Sequence, residues 1–323
     1  MTTLPRRQLI ALATLAATMP RAVRAGSDAA ALTDAASAYL RAVADDPRAR
    51  LAWDDPRRTD WHWFPPRFRP DREGVPLGDM APETRRAAEA LLEASTTGPG
   101  AAKARAIISL QHELRQDPGA YFVSVYGTPG EGRWGWGIEG HHLSLNYAVH
   151  GDHIAAGPIF LGAHPTRVES GERAGLRAMA VEEDEARAAL LALPADLRAR
   201  AIVAERTPRD TRTQNAVAVE PLPREGLAWS ELPAESRERL TRAVHAYLGM
   251  MPPTLAAAER ARLASADPSS LTFQWRGSTV PDRFHYWAVQ GNAFLIEHDN
   301  SRDGARHIHS VWCGFASDFG AAL

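Results

Sequence analysis

The spacing of apolar positions divides the chain into blocks of alternating character. Residues 28–45 carry Leu32, Ala35, Tyr39, Leu40 and Val43 at helical spacing. Two further helices are predicted over 82–95 and 101–116, the first opened by Pro82 and the pair parted by Thr96-Thr97-Gly98-Pro99-Gly100. After Asp117-Pro118-Gly119 the period changes to alternation. Strands are predicted over 121–126, 134–138, 142–149 and 154–160. Helical patterns return over 181–193 and 195–205, then a short strand over 215–219. Helices follow over 235–250 and 255–264, divided by Pro252-Pro253. The end is again strand: 271–275, a hairpin of 284–289 and 294–299 turning at Gln290-Gly291-Asn292, and 307–312. Between the first two helices, Trp53 to Pro76 holds prolines that exclude regular helix or central strand, so its aromatics predict a packed, ordered loop.

Strands gather in hairpins here and do not alternate singly with helices. That grouping predicts an α+β fold with N-terminal helices, an antiparallel sheet and helices between its two strand-rich stretches, roughly 120–162 and 271–313. No flexible linker or internal repeat interrupts the chain, so residues 26–323 are expected to form a single domain whose two strand-rich stretches share one sheet.

Residues 1–25 read differently. Arg6-Arg7 precede an apolar run, Leu9 to Ala17, too short to span a bilayer permanently, and Val23-Arg24-Ala25 offers a small-residue cleavage site. The adjacent arginines and the mild core match a twin-arginine signal peptide, so the chain is expected to be periplasmic or secreted. Without this segment 33 basic and 39 acidic residues remain, a net charge of −6. That balance argues against nucleic-acid binding, and no other apolar stretch approaches membrane length. The lone cysteine, Cys313, has no partner for an intrachain disulfide.

The candidate chemistry lies in two histidine groups, Gly140-His141-His142-Leu143-Ser144-Leu145-Asn146 and Arg306-His307-Ile308-His309-Ser310-Val311-Trp312. On a strand, His307 and His309 share a face, a natural pair of ligands. His142 would stand with Ser144 and Asn146 on one face, and His141 with Leu143 and Leu145 on the other. If the stretches share a sheet, His142 joins His307 and His309 in a three-imidazole site, with nitrogens converging within about 5 Å. His141 is then a fourth ligand or an acid/base group. Imidazole suits copper and zinc, and an open position would admit water or a small-molecule substrate. Copper would imply oxidation of that substrate and zinc its hydrolysis. Affinity should fall as pH drops through the histidine range near 6.5. Glu297 is a candidate catalytic carboxylate, and Asp299, Asn300, Ser144 and Asn146 are candidates to orient the imidazoles.

Two other classes stay open: a non-catalytic periplasmic protein that handles the metal or binds a ligand through the same cluster, and a metal-free hydrolase with His142 as general base. A Ser144–His142–Asp318 triad lacks the Gly-x-Ser-x-Gly elbow. No Walker loop, dinucleotide glycine motif or His-Glu-x-x-His occurs. His150, His153 and His298 are possible extra ligands, and Glu182, Glu183 and Glu185 are suited to a helix N-terminus.

Trp134-Gly135-Trp136, His141-His142-Leu143-Ser144-Leu145-Asn146, Pro158-Ile159-Phe160-Leu161-Gly162-Ala163, Ile296-Glu297 with Asp299-Asn300, and His307-Ile308-His309-Ser310-Val311-Trp312 resemble the domain of unknown function 3500 family over about residues 30–320. The resemblance implies an exported bacterial protein and marks the two histidine groups, without supplying an activity. Position 298 looks more often aromatic in that family and position 313 more often arginine, which weakens His298 as a ligand and Cys313 as a catalytic residue.

Overall fold

The computed structural model describes residues 23–44 and 46–323. The signal peptide expected over residues 1–25 lies outside them except for its last three residues. Val23–Arg24 form a two-residue strand, β1, paired with Ile154 and His153.

Helix α1 covers Gly26–Ala42, and the short strands β2 and β3 cover Arg50–Leu51 and Val75–Pro76. Helices α2 (Pro82–Ala94) and α3 (Gly98–Ser109) follow. Then come β4 (Tyr121–Thr128), β5 (Glu131–Gly140), β6 (Leu143–His150) and β7 (His153–Ala163). Next are α4 (Ala180–Leu191), α5 (Ala195–Ala201), β8 (Ile202–Ala204), β9 (Leu227–Ala228), α6 (Ala234–Leu248) and α7 (Pro253–Ser265). The chain ends on β10 (Thr272–Gly277), β11 (His285–Gln290), β12 (Phe294–Arg302) and β13 (His307–Gly314).

All thirteen strands among the described residues join one sheet, in the order β2-β4-β5-β6-β7-β13-β12-β11-β10-β8, with β1, β3 and β9 paired alongside. Every pairing is antiparallel except β2 with β4 and β8 with β10. The two strand-rich stretches meet where β7 pairs with β13, Gly162 opposite His309 and Phe160 opposite Val311. This is the expected α+β single domain.

Alternation assigns the faces. On β13, Ile308 and Trp312 enter the main core beneath the helices, while Val311 and Cys313 enter a second cluster on the other face. Among the described residues no α-helix contributes to that second cluster. The irregular Trp53–Pro76 segment does so, with Trp61 and Trp63 buried against Phe160 and Phe319. Trp63 stacks on Phe160 at 3.9 Å between centroids and 7° between planes. Such a pair adds about 0.5–1.5 kcal/mol beyond buried area, enough to hold a proline-broken segment in place.

Three predicted elements differ. The second helix of the N-terminal pair starts at Gly98, because Thr97 caps it by accepting from the Gly100 amide and Pro99 suits its first turn. The predicted helix over 195–205 stops at Ala201, and Ile202–Ala204 leaves it to pair with β10, a tertiary pairing that overrides local propensity. Residues 215–219 form no strand. They lie in a loop whose Asn215 donates to the Trp61 carbonyl and whose Val219 is buried in the second cluster.

Candidate metal centre

The β5–β6 hairpin turns through only two residues, His141 and His142, with Gly140 paired to Leu143. Both histidines therefore leave the strand register on which opposite faces were predicted. His142 takes φ of +68°, the left-handed conformation that one position of such a turn demands. The two rings lie together, 3.8 Å apart between centroids. The His142 amide donates to the Trp63 carbonyl at 3.0 Å, and its carbonyl accepts from the Gly162 amide at 2.8 Å. The turn is thus pinned between the aromatic segment and β7.

Gly162 is the residue opposite His309 on the neighbouring strand. A Cβ there would stand 3.0 Å from both Cβ and Cδ2 of His142 and 2.8 Å from the Ile308 carbonyl. The missing side chain leaves the space across which His142 reaches the histidines of β13.

Three Nε2 atoms converge there. His142 and His307 are 2.8 Å apart, and His307 and His309 are 3.0 Å apart. The ligand atoms of the three all lie within 4.8 Å of one another, so the triad could hold a metal ion. Two nitrogens each 2.0–2.1 Å from one ion would be separated by roughly 2.9–3.4 Å at angles between perpendicular and tetrahedral, close to the spacing found.

The tautomers sharpen this. His309 donates from Nδ1 to Asp210 Oδ1 at 2.8 Å, so its Nε2 presents a lone pair to the cluster. Burial alone would raise the Asp210 carboxyl, but the hydrogen bond and charge of His309, with Arg302 beside it, hold it below its ordinary value. The Nδ1 of His142 is buried without a partner, leaving Nε2 as its bonding nitrogen. A neutral His307 Nε2 can satisfy only one of its two contacts, because a ring nitrogen either donates or accepts. The other contact, at about 3 Å, is then left without a hydrogen bond. A cation held by all three nitrogens would satisfy them together.

A proton is the wrong cation here. Burial, then the neighbouring imidazoles, lower His142 well below the usual histidine value. Burial, then His309 and His164, lower His307 to about 2. Burial lowers His309 too, against the opposing pull of Asp210. The three ligands are neutral, as metal binding requires.

The other expected site residues fall into two groups. His141 touches His142, but its Nδ1 meets Gln111 Oε1 at 2.9 Å and it is not one of the three converging ligands. Asn300 accepts the His307 amide through Oδ1. Asp299, opposite His309, binds Ser301 through Oδ1 and leaves Oδ2 buried and unpaired. Burial raises its carboxyl to about 7.

Glu297 does not reach the imidazoles. It accepts from the Arg212 and Thr213 amides, the Thr213 hydroxyl and the Tyr286 hydroxyl, so it anchors the loop that carries Asp210. The carboxylate expected to be catalytic is thus committed to that loop. Asn146 donates to Ser144 Oγ and the Pro158 carbonyl, and neither Ser144 nor Asn146 bonds a histidine. No hydroxyl or thiol bonds any of the three imidazoles among the described residues, which leaves His142 without the nucleophile that a Ser144–His142–Asp318 triad needs. His298 is fully buried on the helical face against Trp287, and His150 and His153 face each other at the far end of the β6–β7 hairpin.

Sequence reasoning missed Asp210 and His164. Asp210 lies in a loop without pattern. His164 follows β7, stacks on His307 at 4.4 Å and bonds Asp303 at 2.8 Å. The imidazole-imidazole grouping was the readable signal, and the carboxylates that orient it carried none.

Replacing Asp210 by Asn should weaken metal binding about 10–100-fold, the usual cost of losing a carboxylate that orients a ligand imidazole. Competition titration against a chelator of known affinity reads this directly. Unchanged affinity would show that Asp210 does not set the His309 tautomer.

No curated protein and no solved structure matches this chain. A family model described as "Protein of unknown function (DUF3500)" matches residues 25–321 and so takes in the hairpin turn, the glycine of β7 and both histidines of β13, and the chain belongs to that family.

Proposed function

We propose that this protein is an exported metalloenzyme in which His142, His307 and His309 hold one copper or zinc ion and leave a position open to a small-molecule substrate. The observation that carries the reading is the convergence of three neutral Nε2 atoms, one of them fixed as a lone pair by the Asp210–His309 hydrogen bond. A carboxylate–histidine pair of this kind raises ligand basicity and fixes ring orientation. The ion would supply Lewis acidity, or redox chemistry if it is copper. The protein's own residues do the rest. Trp63 and Phe160 pack edge-on against His309 and keep water from that side, and Gly162 makes room for His142.

Export is supported by Arg6-Arg7, the short apolar run after them and Val23-Arg24-Ala25. No helix among the described residues is long and apolar enough to cross a membrane.

Calorimetric titration of metal-free protein with Zn²⁺ and with Cu²⁺ tests the centre. One ion per chain is expected. Because burial keeps the imidazoles neutral well below pH 6.5, affinity should stay within about threefold between pH 7.5 and 6.0, where an exposed histidine site would already lose ligands to protons. The expectation of a fall near 6.5, drawn from unperturbed histidines, moves to lower pH. Absence of stoichiometric binding of either ion would refute the proposal. Binding without turnover on any small-molecule substrate would leave a metal-handling protein in place of an enzyme.

A further inference from the structure

Helix α7 is incompletely seated on the sheet. Its neighbour α6 buries Leu240, Ala243, Val244, Tyr247 and Leu248, whereas α7 buries only Leu255 and Ala256, in its first turn. From Ala257 to Ser265 no residue is fully buried. The apolar side chains of α7 are mostly alanines, too short to reach the strands beneath.

The space left open is a cavity of about 850 Å³ between α6, the C-terminal half of α7, the turn after β11 and strand β13. Its apolar walls are Val244, Leu248, Leu263, Leu271, Phe294 and Trp312. Phe294 stacks on Trp312 with 4.5 Å between centroids and 4° between planes, so one wall is a flat aromatic block. Trp312 closes the motif that begins at His307, yet it belongs to the core on the helical face and takes no part in the histidine cluster. Small-molecule sites occupy roughly 300–1,000 Å³ and pair apolar walls with a few polar groups, which is the composition found here.

The polar groups narrow the ligand. Glu259 and Arg262, one turn apart on α7, form an ion pair and offset each other. Asp267 accepts the Ser269 amide, which favours its charged form. The lining therefore carries a surplus negative charge, which disfavours an anion, and its apolar walls favour a neutral body. The recessed shape also separates a small molecule from a protein partner. The large hydrophobic side chains that the described residues expose, Phe68, Val280 and Phe284 foremost, all lie outside this cavity. A flat protein surface would meet no raised apolar patch there, whereas a molecule that enters meets apolar walls.

We infer that the cavity under α7 is a binding site for a neutral, apolar small molecule that lies against the Phe294–Trp312 pair, on the face of the sheet opposite the histidine cluster. It is independent of any metal at that cluster.

N-phenylnaphthylamine, which is uncharged and fluoresces in apolar surroundings, tests the site. Held at trace concentration and titrated with the protein, it should reach half-saturation at about 100 µM protein or below, an ordinary affinity for a ligand of its size. Anilinonaphthalene sulfonate, the same body with an anionic group, should bind about tenfold more weakly. Ala266→Trp and Ala293→Trp each place a large ring in the cavity from a half-buried position, and each should weaken binding by about tenfold or more. The Phe68→Ala/Phe284→Ala variant removes exposed aromatics elsewhere and should bind as the wild type does. Failure of the wild type to reach half-saturation by that concentration, equal or tighter binding of the sulfonate, undiminished binding by either tryptophan variant, or an equal loss in the Phe68→Ala/Phe284→Ala variant would each overturn the inference. Sedimentation covers the rival occupant: a wild-type dimer that dissociates in Ala293→Trp would assign the cavity to a second copy of the chain and overturn it as well.

Discussion

A His309→Ala variant is expected to lose stoichiometric metal binding, with affinity at least about 100-fold below wild type. The change removes one of three converging nitrogens and also strands Asp210, and loss of an orienting partner alone costs 10–100-fold. The thermal transition gives an independent reading. Metal at 100 times its dissociation constant should stabilise the wild type by about 2.7 kcal/mol through mass action, and the variant should show no such shift. His298→Ala is the comparison that excludes general damage. That imidazole is equally buried but lies on the opposite face of the sheet, so its loss should lower stability and leave metal affinity unchanged. A His309→Ala protein that binds metal as tightly as wild type would eliminate the three-histidine site.

Glu297→Ala should be the most destabilising single change at this end of the molecule, by about 3–6 kcal/mol. Four donors from Arg212, Thr213 and Tyr286 converge on that fully buried carboxylate at 2.6–2.9 Å, two of them backbone amides that bond no other acceptor among the described residues. Each buried donor left unsatisfied costs about 1–3 kcal/mol. Tyr286→Phe removes a single donor and should cost about 1 kcal/mol. Urea unfolding with an unchanged m-value measures both. A Glu297→Ala protein as stable as wild type would mean that the 210–213 loop is not held by this carboxylate. Metal affinity should fall along with stability in this variant, because Asp210 sits on the loop released.

The sequence carried much of this arrangement. Residue pattern located β4 to β7 and β10 to β13 to within a few residues, because runs of β-branched and aromatic residues bounded by glycine, proline and asparagine turns mark each strand. The His-x-His of β13 placed two ligands on one face by strand geometry alone. The His141-His142 turn could not be read the same way. A two-residue hairpin normally announces itself with glycine or asparagine, and here a histidine takes the left-handed position. Ile202–Ala204 failed for another reason: its helical spacing was overruled by pairing with a strand more than seventy residues away. Glu297 stands among site residues in sequence, yet its hydrogen bonds run elsewhere. Its own side chain is committed to a loop that carries no pattern.

The seam between β7 and β13 brings His142 beside His307, residues 165 positions apart in the chain. No local folding event can assemble these ligands, since neither hairpin holds more than two of them. Contacts so distant in sequence form only once most of the loop-closure entropy has been met. The complete ligand set thus exists only in a chain whose two halves have already joined, and a metal ion can find its full coordination only there. For the metal centre proposed, where the polypeptide folds therefore decides which pool of metal it would sample. Under the export and metal binding proposed above, a chain folded before export would be filled from the cytoplasmic supply, and one threaded out unfolded would take whatever ion the outer compartment holds.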